Sequence, residues 1–340
     1  MSTDRHVLIA RLDSEGDVLL AGPAIRAVSV GSARVTLLCG PGGRAAACLL
    51  PGVDDTLVWT APWIVAEPEP IRAGQMEDFV ASMRERAVDA ALVLSSYHQS
   101  PLPLALLLRM AGVEQIAAIS EDYPGSLLDV RHRVADDLPE AERALSLARA
   151  AGYQLPPGDD GRLRVRPGLP PVQHLQPAGR YVVVHPGASV PARALPPEWA
   201  AEMTRALGRA GRRVLVTGSP GEVELTARVA GKHASDLGGR TSLAELAALL
   251  AGADALVVGN TGPAHLAAAV ATPVVSLFAP TVPFTRWRPY GVPCVRLGDP
   301  RAPCRDTRAR VCQLPEHPCL ESVPTADVVA AVAELTRSAA

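Results

Sequence analysis

Short apolar runs and longer amphipathic segments alternate along this chain, separated by loops rich in glycine, proline and acidic residues. His6–Leu12 reads as a strand, the acidic stretch Asp13–Asp17 (DSEGD) as a tight turn, and Val18–Val30 as a helix. Arg34–Cys39, Leu57–Trp59, Ala90–Leu94 and Gln115–Ile119 read as further buried strands. Ala45–Leu50, Leu102–Met110 and Pro139–Ala151 read as helices. Met76–Ala87 sets Phe79, Val80 and Met83 on one side and Arg84, Glu85 and Arg86 largely on the other, the spacing of a surface helix. Gln154–Arg180 then breaks the rhythm with PPGDDG, RPGLPP and QPAG, a composition that suits a linker.

After it the alternation restarts. Tyr181–His185, Arg213–Thr217, Ala255–Val258 and Pro273–Phe278 read as strands, and Glu198–Ala210, Val223–Gly231, Leu243–Ala251 and a segment from Ala264 as helices. Strands alternating with helices twice over predict an α/β chain of two Rossmann-like, doubly wound domains. The expected division is an N-terminal domain over 1–165, a linker over 166–180 and a C-terminal domain over 181–324, with a last helix over 325–340. At 340 residues the chain has room for two cores. Ligands of such sheets collect beyond the carboxyl ends of the strands, so the loops that follow strands are where chemistry is expected.

Those loops differ in charge. DSEGD carries three carboxylates and one glycine, so it repels a diphosphate and does not fit a dinucleotide-binding turn. The loops of the second half are small, hydroxylated and glycine-bearing: HPGAS (His185–Ser189), GSP (Gly218–Pro220) and GNTG (Gly259–Gly262), with Arg193 close behind the first. Pro263 suits the first turn of the helix that GNTG opens, and Asn260 or Thr261 suits its cap. Backbone amides at such an end attract phosphate, and those of Thr261, Gly262, Ala264 and His265 are expected to point outward. A phosphate-binding domain opposite a carboxylate-bearing one suits group transfer from a nucleotide donor, a carboxylate taking the proton of the attacking hydroxyl.

Composition narrows this reading. A net charge of −2 gives no basic excess for nucleic acid, and Lys232 is the only lysine. No apolar stretch reaches the ~18 residues of a membrane span, and the N-terminus turns acidic too soon for a signal peptide. Six cysteines without such a signal predict reduced thiols and a cytoplasmic location. No Asp-x-Asp element is present; Asp54–Asp55, Asp136–Asp137 and Asp159–Asp160 are adjacent pairs that point apart, so no metal is expected. Cys294, Cys304, Cys312 and Cys319 with His317 fit no tight zinc spacing and read as free thiols.

The chain resembles glycosyltransferase family 9, the ADP-heptose:lipopolysaccharide heptosyltransferase-like enzymes of the GT-B fold. The resemblance rests on VLIARLDSEGDVLLAGPAIRAV (Val7–Val28), HPGAS, LPPEWA, GGRTSLAELAALLAGADALVVGNTGPAHLAAA and LFAPTVPFTRWRPYG. It implies two domains facing across a cleft, and an inverting, metal-independent transfer from a nucleotide-diphospho-sugar to a hydroxyl. ADP-sugar is the favoured donor; a glycan, a lipid-linked molecule or a small molecule is the acceptor, in cell-envelope glycan or glycoconjugate synthesis. A lipid-linked acceptor would bring peripheral contact with the inner face of the membrane. By the same resemblance Asp17 is the general base, and His185, Gly187, Ser189, Arg193, Gly218, Glu222, Asn260, Thr261, Gly262 and His265 form the donor site. Arg193 stands where many members have lysine, and Asn260 where many have aspartate. The resemblance also places the last helix back on the N-terminal domain.

Plainer roles stand beside these. Asp17 also suits capping of a helix beginning at Val18; Asp13 is the rival base; Glu15 reads as a solvated turn residue. His98, in the polar loop SSYHQS, is an acceptor-side candidate or simply solvated, and His185 and His265 are equally suited to packing. Two other functions fit the same features: a sugar-nucleotide isomerase or hydrolase, and a non-catalytic sugar-nucleotide-binding protein.

Overall fold

The computed structural model describes residues 4–135 and 137–337, so Asp136 of the Asp136–Asp137 pair and the last three positions of the expected terminal helix lie outside the described residues. The chain divides into two compact units, Met1–Arg166 and Pro167–Ala340, and the division falls within the proline- and glycine-rich stretch.

In the first unit β1 (His6–Arg11) is followed by α1 (Glu15–Leu20), α2 (Gly22–Val30), β2 (Arg34–Cys39), α3 (Arg44–Leu49), β3 (Asp55–Val58) and α4 (Ala73–Glu85). Then come β4 (Ala90–Val93), α5 (Leu102–Met110), β5 (Gln115–Ile119), β6 (Val130–His132) and α6 (Glu140–Ala150). Every strand pairing is parallel, in the order β3-β2-β1-β4-β5-β6. Helices on both faces bury β1 from Val7 onward, which is why it reads as an unbroken apolar run rather than an alternating one.

The second unit repeats the plan. β7 (Val182–His185), α7 (Pro197–Arg209), β8 (Val214–Gly218), α8 (Val223–Ala230), β9 (Ser235–Gly238) and α9 (Leu243–Ala251) lead into β10 (Ala255–Gly259) and α10 (Gly262–Ala269). β11 (Val274–Leu277), α11 (Phe284–Trp287), β12 (Cys294–Leu297), α12 (Pro318–Glu321) and α13 (Thr325–Arg337) complete it. Its all-parallel order is β12-β11-β10-β7-β8-β9. Counted within each unit, both sheets have the 3-2-1-4-5-6 order of a dinucleotide-type fold, with the switch points between β1 and β4 and between β7 and β10. The loops after these four strands flank the two crevices where this fold takes ligands.

Three expectations are corrected. The acidic stretch is mostly helix: Ser14, in extended conformation, is the N-cap, and α1 begins at Glu15, with Asp17 inside the first turn and not at its cap. The single helix Val18–Val30 is two helices broken at Ala21, because Pro23 brings no N–H and its ring fits only the first turn of a new helix. The last helix belongs to its own unit. α13 packs on α7 and on β10, β11 and β12, and buries Val328, Ala331, Val332 and Leu335 in the same core as Met203 and Leu207.

The first unit is closed by a staple distant in sequence. Arg26 of α2, 7% exposed, donates from Nε to Asp159 Oδ2 at 2.6 Å and from Nη2 to Asp159 Oδ1 at 2.9 Å and Arg162 O at 2.8 Å. The Arg26 hydrogen bond is the main cause that holds the Asp159 carboxyl down at about 2, burial opposing it. A carboxyl depressed in the folded state stabilises above its unfolded pKa, here 3.8, and loses that contribution as pH falls through 2. Asp159→Asn is therefore expected to cost about 2 kcal/mol of unfolding free energy at pH 7, and the difference from wild type to close as denaturation is followed down to pH 2.

Candidate active site

At the first crevice, Arg11 ends β1 with its side chain 3% exposed. A guanidinium cannot be left unpaired there, and carboxylates surround it: Asp17 Oδ1 at 2.8 Å, Asp13 Oδ2 at 3.0 Å and Glu140 Oε2 at 3.5 Å. Burial lowers the Arg11 pKa, but Asp13, Asp17 and Glu140 outweigh it and hold the group above its ordinary value. Glu140, 1% exposed, is shared with Arg143 at 3.9 Å, and Arg143 donates to the Ser95 carbonyl. The Ser96 hydroxyl accepts from Arg11 at 3.0 Å and donates to Asp13 Oδ2 at 2.7 Å. The loops after β1 and β4 and the start of α6 are thus one hydrogen-bonded charge cluster, two guanidiniums against three carboxylates.

Within it Asp17 and Asp13 differ. Asp17 projects from the first turn of α1, takes the Ser14 hydroxyl on Oδ2 at 2.7 Å, and keeps 14% of its side chain exposed against 8% for Asp13. The start of α1 and Arg11 both set positive charge beside its carboxylate. Glu15 is not the solvated turn residue expected: it is half-buried, and burial pushes its carboxyl up to about 7. His98 is exposed in the loop after β4, its ring edge-on to Tyr97 at 5.4 Å between centroids and two positions beyond Ser96.

At the second crevice the loops after β7, β8 and β10 come together. His185, 7% exposed, shares a hydrogen bond of 3.0 Å between Nδ1 and Thr217 Oγ1, which ties the ends of β7 and β8. Burial pushes its imidazole down to about 4, against the pull of Glu222, so the ring is neutral at pH 7. Glu222 accepts from the Ser219 amide at 2.7 Å and the Ser219 hydroxyl at 2.8 Å, and its carboxylate lies on Gly187 where a Cβ would otherwise be. A side chain at Gly187 would therefore displace the Glu222 carboxylate. Gly259 is required by close approach: a Cβ there would strike the Arg193 backbone carbonyl, which seats the loop of Arg193 against GNTG. The His317 ring bonds the Ala192 carbonyl at 3.0 Å and braces that loop from behind. Ser189 is exposed nearby.

Asn260 has a side-chain amide that is left wholly unsatisfied. It is 6% exposed, and neither Oδ1 nor Nδ2 has a hydrogen-bond partner. A buried amide costs about 1–3 kcal/mol when unpaired, which is tolerated where a ligand supplies the missing bonds. Beside it α10 starts with Thr261 as N-cap in extended conformation and Gly262 in the first turn. Two of the four amides expected to point outward do not: Thr261 N–H bonds Gly259 O and Ala264 N–H bonds Thr261 O, both at 3.0 Å. Gly262 N–H belongs to the turn that has no intrahelical acceptor. His265 is buried in the same turn. The structure therefore brings together His185, Gly187, Arg193, Gly218, Glu222, Asn260, Thr261, Gly262 and His265 in one unit, and Asp13, Asp17 and the His98 loop in the other.

Sequence reasoning missed Arg11, Ser96, Glu140 and Arg143. One signal was present: Arg11 is a charge at the end of an apolar strand, directly before an acidic segment. Cys294, Cys304, Cys312 and Cys319 are free thiols, and among the described residues no three His, Cys, Asp or Glu side chains are grouped to hold a metal ion.

The model of glycosyltransferase family 9 (heptosyltransferase) matches residues 76–317. Lipopolysaccharide heptosyltransferase 1 of Pseudomonas aeruginosa is 34% identical over 249 residues, 69% of this chain and 67% of that protein. Among solved structures, a family 9 glycosyl transferase from Veillonella parvula superposes with a TM-score of 0.77 at 16% identity, covering 99% of both chains. Escherichia coli heptosyltransferase WaaC with ADP gives 0.70 at 20% identity over 97% of this chain and 99% of that one. The chain belongs to glycosyltransferase family 9 and is a glycosyltransferase.

Proposed function

We propose that the protein transfers a heptose-like sugar from an ADP-sugar to a hydroxyl of a cell-envelope glycan or glycoconjugate, by a single displacement that inverts the anomeric centre and needs no metal. The observation that carries the donor site is the buried, unpartnered amide of Asn260 at the start of α10. The name of the Pseudomonas aeruginosa relative supports heptose as the sugar, and the ADP held by the Escherichia coli protein supports the nucleotide.

In this reading Asp17 takes the proton of the acceptor hydroxyl as its oxygen attacks the anomeric carbon, and the bond to the diphosphate breaks on the opposite face. The proton ends on Asp17 and the electron pair on the departing nucleotide. Arg193, Gly262 N–H and the Thr261 hydroxyl face the charge that develops there. The amide of Asn260 can donate to a phosphate or sugar oxygen and accept from a sugar hydroxyl at once. A neutral His185 adds no charge; with Thr217 it keeps the strand ends in place, and Glu222 is set to accept from donor hydroxyls. Arg11 and Ser14 hold one oxygen of Asp17 each and so orient its carboxylate.

Two variants test the halves separately. Asp17→Asn is expected to lower kcat for sugar transfer by about 10²–10⁴-fold while ADP binding stays at the wild-type level; undiminished turnover would remove Asp17 as the base. Asn260→Ala is expected to weaken ADP or ADP-sugar binding in calorimetry about tenfold, with the melting temperature held or raised because a buried unpaired amide is gone. Unchanged nucleotide affinity would place the donor elsewhere.

A further inference from the structure

A cavity of about 750 Å³ opens in the first unit where β3 ends, and none of the candidate-site residues lines it. Its floor is aromatic in a chain where aromatics are only 4% of residues. The Trp59 ring stacks on Phe79 with centroids 4.1 Å apart at 29°, both on the lining, and Trp63, which does not line the cavity, meets Trp59 edge-on at 5.4 Å. Trp59 extends the ladder of β3, its amide bonding Cys39 O at 2.9 Å, so the indole is fixed by backbone as well as by packing. Met76 adds to the floor, and the exposed carboxylates Glu67, Glu69 and Asp78 stand on the lining. The cation nearest in sequence, Arg72, lies 3.9 Å from Glu69, with both side chains more than two-thirds exposed.

A rigid aromatic floor with a few polar groups at its edge, in a cavity of this size, is the build of a small-molecule site. Its chemistry selects the ligand. The indole face is electronegative and takes C–H faces and cations; carboxylates accept from hydroxyls and pair with ammonium groups; a phosphate or carboxylate meets like charge. We propose that this cavity binds an amine-bearing saccharide, its ring on Trp59 and its ammonium among Glu67, Glu69 and Asp78. The cavity follows the carboxyl end of β3 and the Asp17 cluster that of β1, and these strands lie two places apart across β2, about 10 Å between strand axes. It therefore selects an acceptor that carries an amino sugar. That second step rests on the transfer reading above; the binding itself does not.

The test is tryptophan fluorescence and calorimetric titration of the full chain with the β-1,4 disaccharide of glucosamine, its N,N′-diacetylated form and glucose 6-phosphate. The free amine is expected to bind at least about tenfold more tightly than the acetylated sugar and to weaken with salt, and the phosphate not to bind. Glu67→Gln with Asp78→Asn, both exposed, is expected to weaken the amine about tenfold at an unchanged melting temperature, and Trp59→Phe to do so with the stack on Phe79 kept. Asp17→Asn and saturating ADP should leave the binding untouched, so loss of transfer and loss of this site are told apart. No binding of the glucosamine disaccharide up to about 10 mM, equal binding of the acetylated form, displacement by ADP, or indifference to the double variant would each overturn the proposal.

Discussion

A guanidinium buried at the end of the first strand has to be compensated, and much of the N-terminal crevice follows from how that is done. Leaving Arg11 unpaired would cost several kcal/mol, and one carboxylate leaves other donors bare. The fold brings three carboxylates and a serine from the loops after β1 and β4 and the starts of α1 and α6, and in pairing with Arg11 each of them is fixed. Asp17 gains a set orientation as a by-product. The burial of Glu140 makes sense only as counter-charge to Arg11 and Arg143.

The two crevices are opposite in kind. The first is charged and internally ion-paired, so its carboxylates are held in place by Arg11. The second is nearly neutral and carries an unmet hydrogen-bonding capacity at Asn260. Its strand ends are drawn together by His185–Thr217, by Glu222 over Gly187 and by the Arg193 carbonyl against Gly259. A buried amide without partners is stability forgone in the empty protein, and a ligand that meets both atoms recovers it.

Much of the fold was legible because parallel strands buried on both faces are unbroken apolar runs, and the loops between them carry glycine and proline. The elements that were not legible have the opposite property. β6, β9 and β12 are short strands at sheet edges, half-exposed or polar, and leave no run to read. The start of α1 was misread because acidic residues suit a turn and the first turn of a helix equally; only the extended backbone of Ser14 separates the two. Of the candidate site, the residues at strand ends could be named from their loops. Arg11, Ser96, Glu140 and Arg143 could not, since their partners lie up to 129 positions apart, Arg11 against Glu140.

If Arg11 sets the state of Asp17, the pH dependence of sugar transfer must depend on Arg11. The decisive measurement is the pH–rate profile of wild type, Arg11→Lys and Arg11→Gln, each checked for folding by its melting curve. Without the guanidinium a carboxylate holds its proton more tightly, so the acidic limb of Arg11→Gln should move to higher pH, and lysine should return it towards wild type. An acidic limb that stays in place in folded Arg11→Gln would contradict the account.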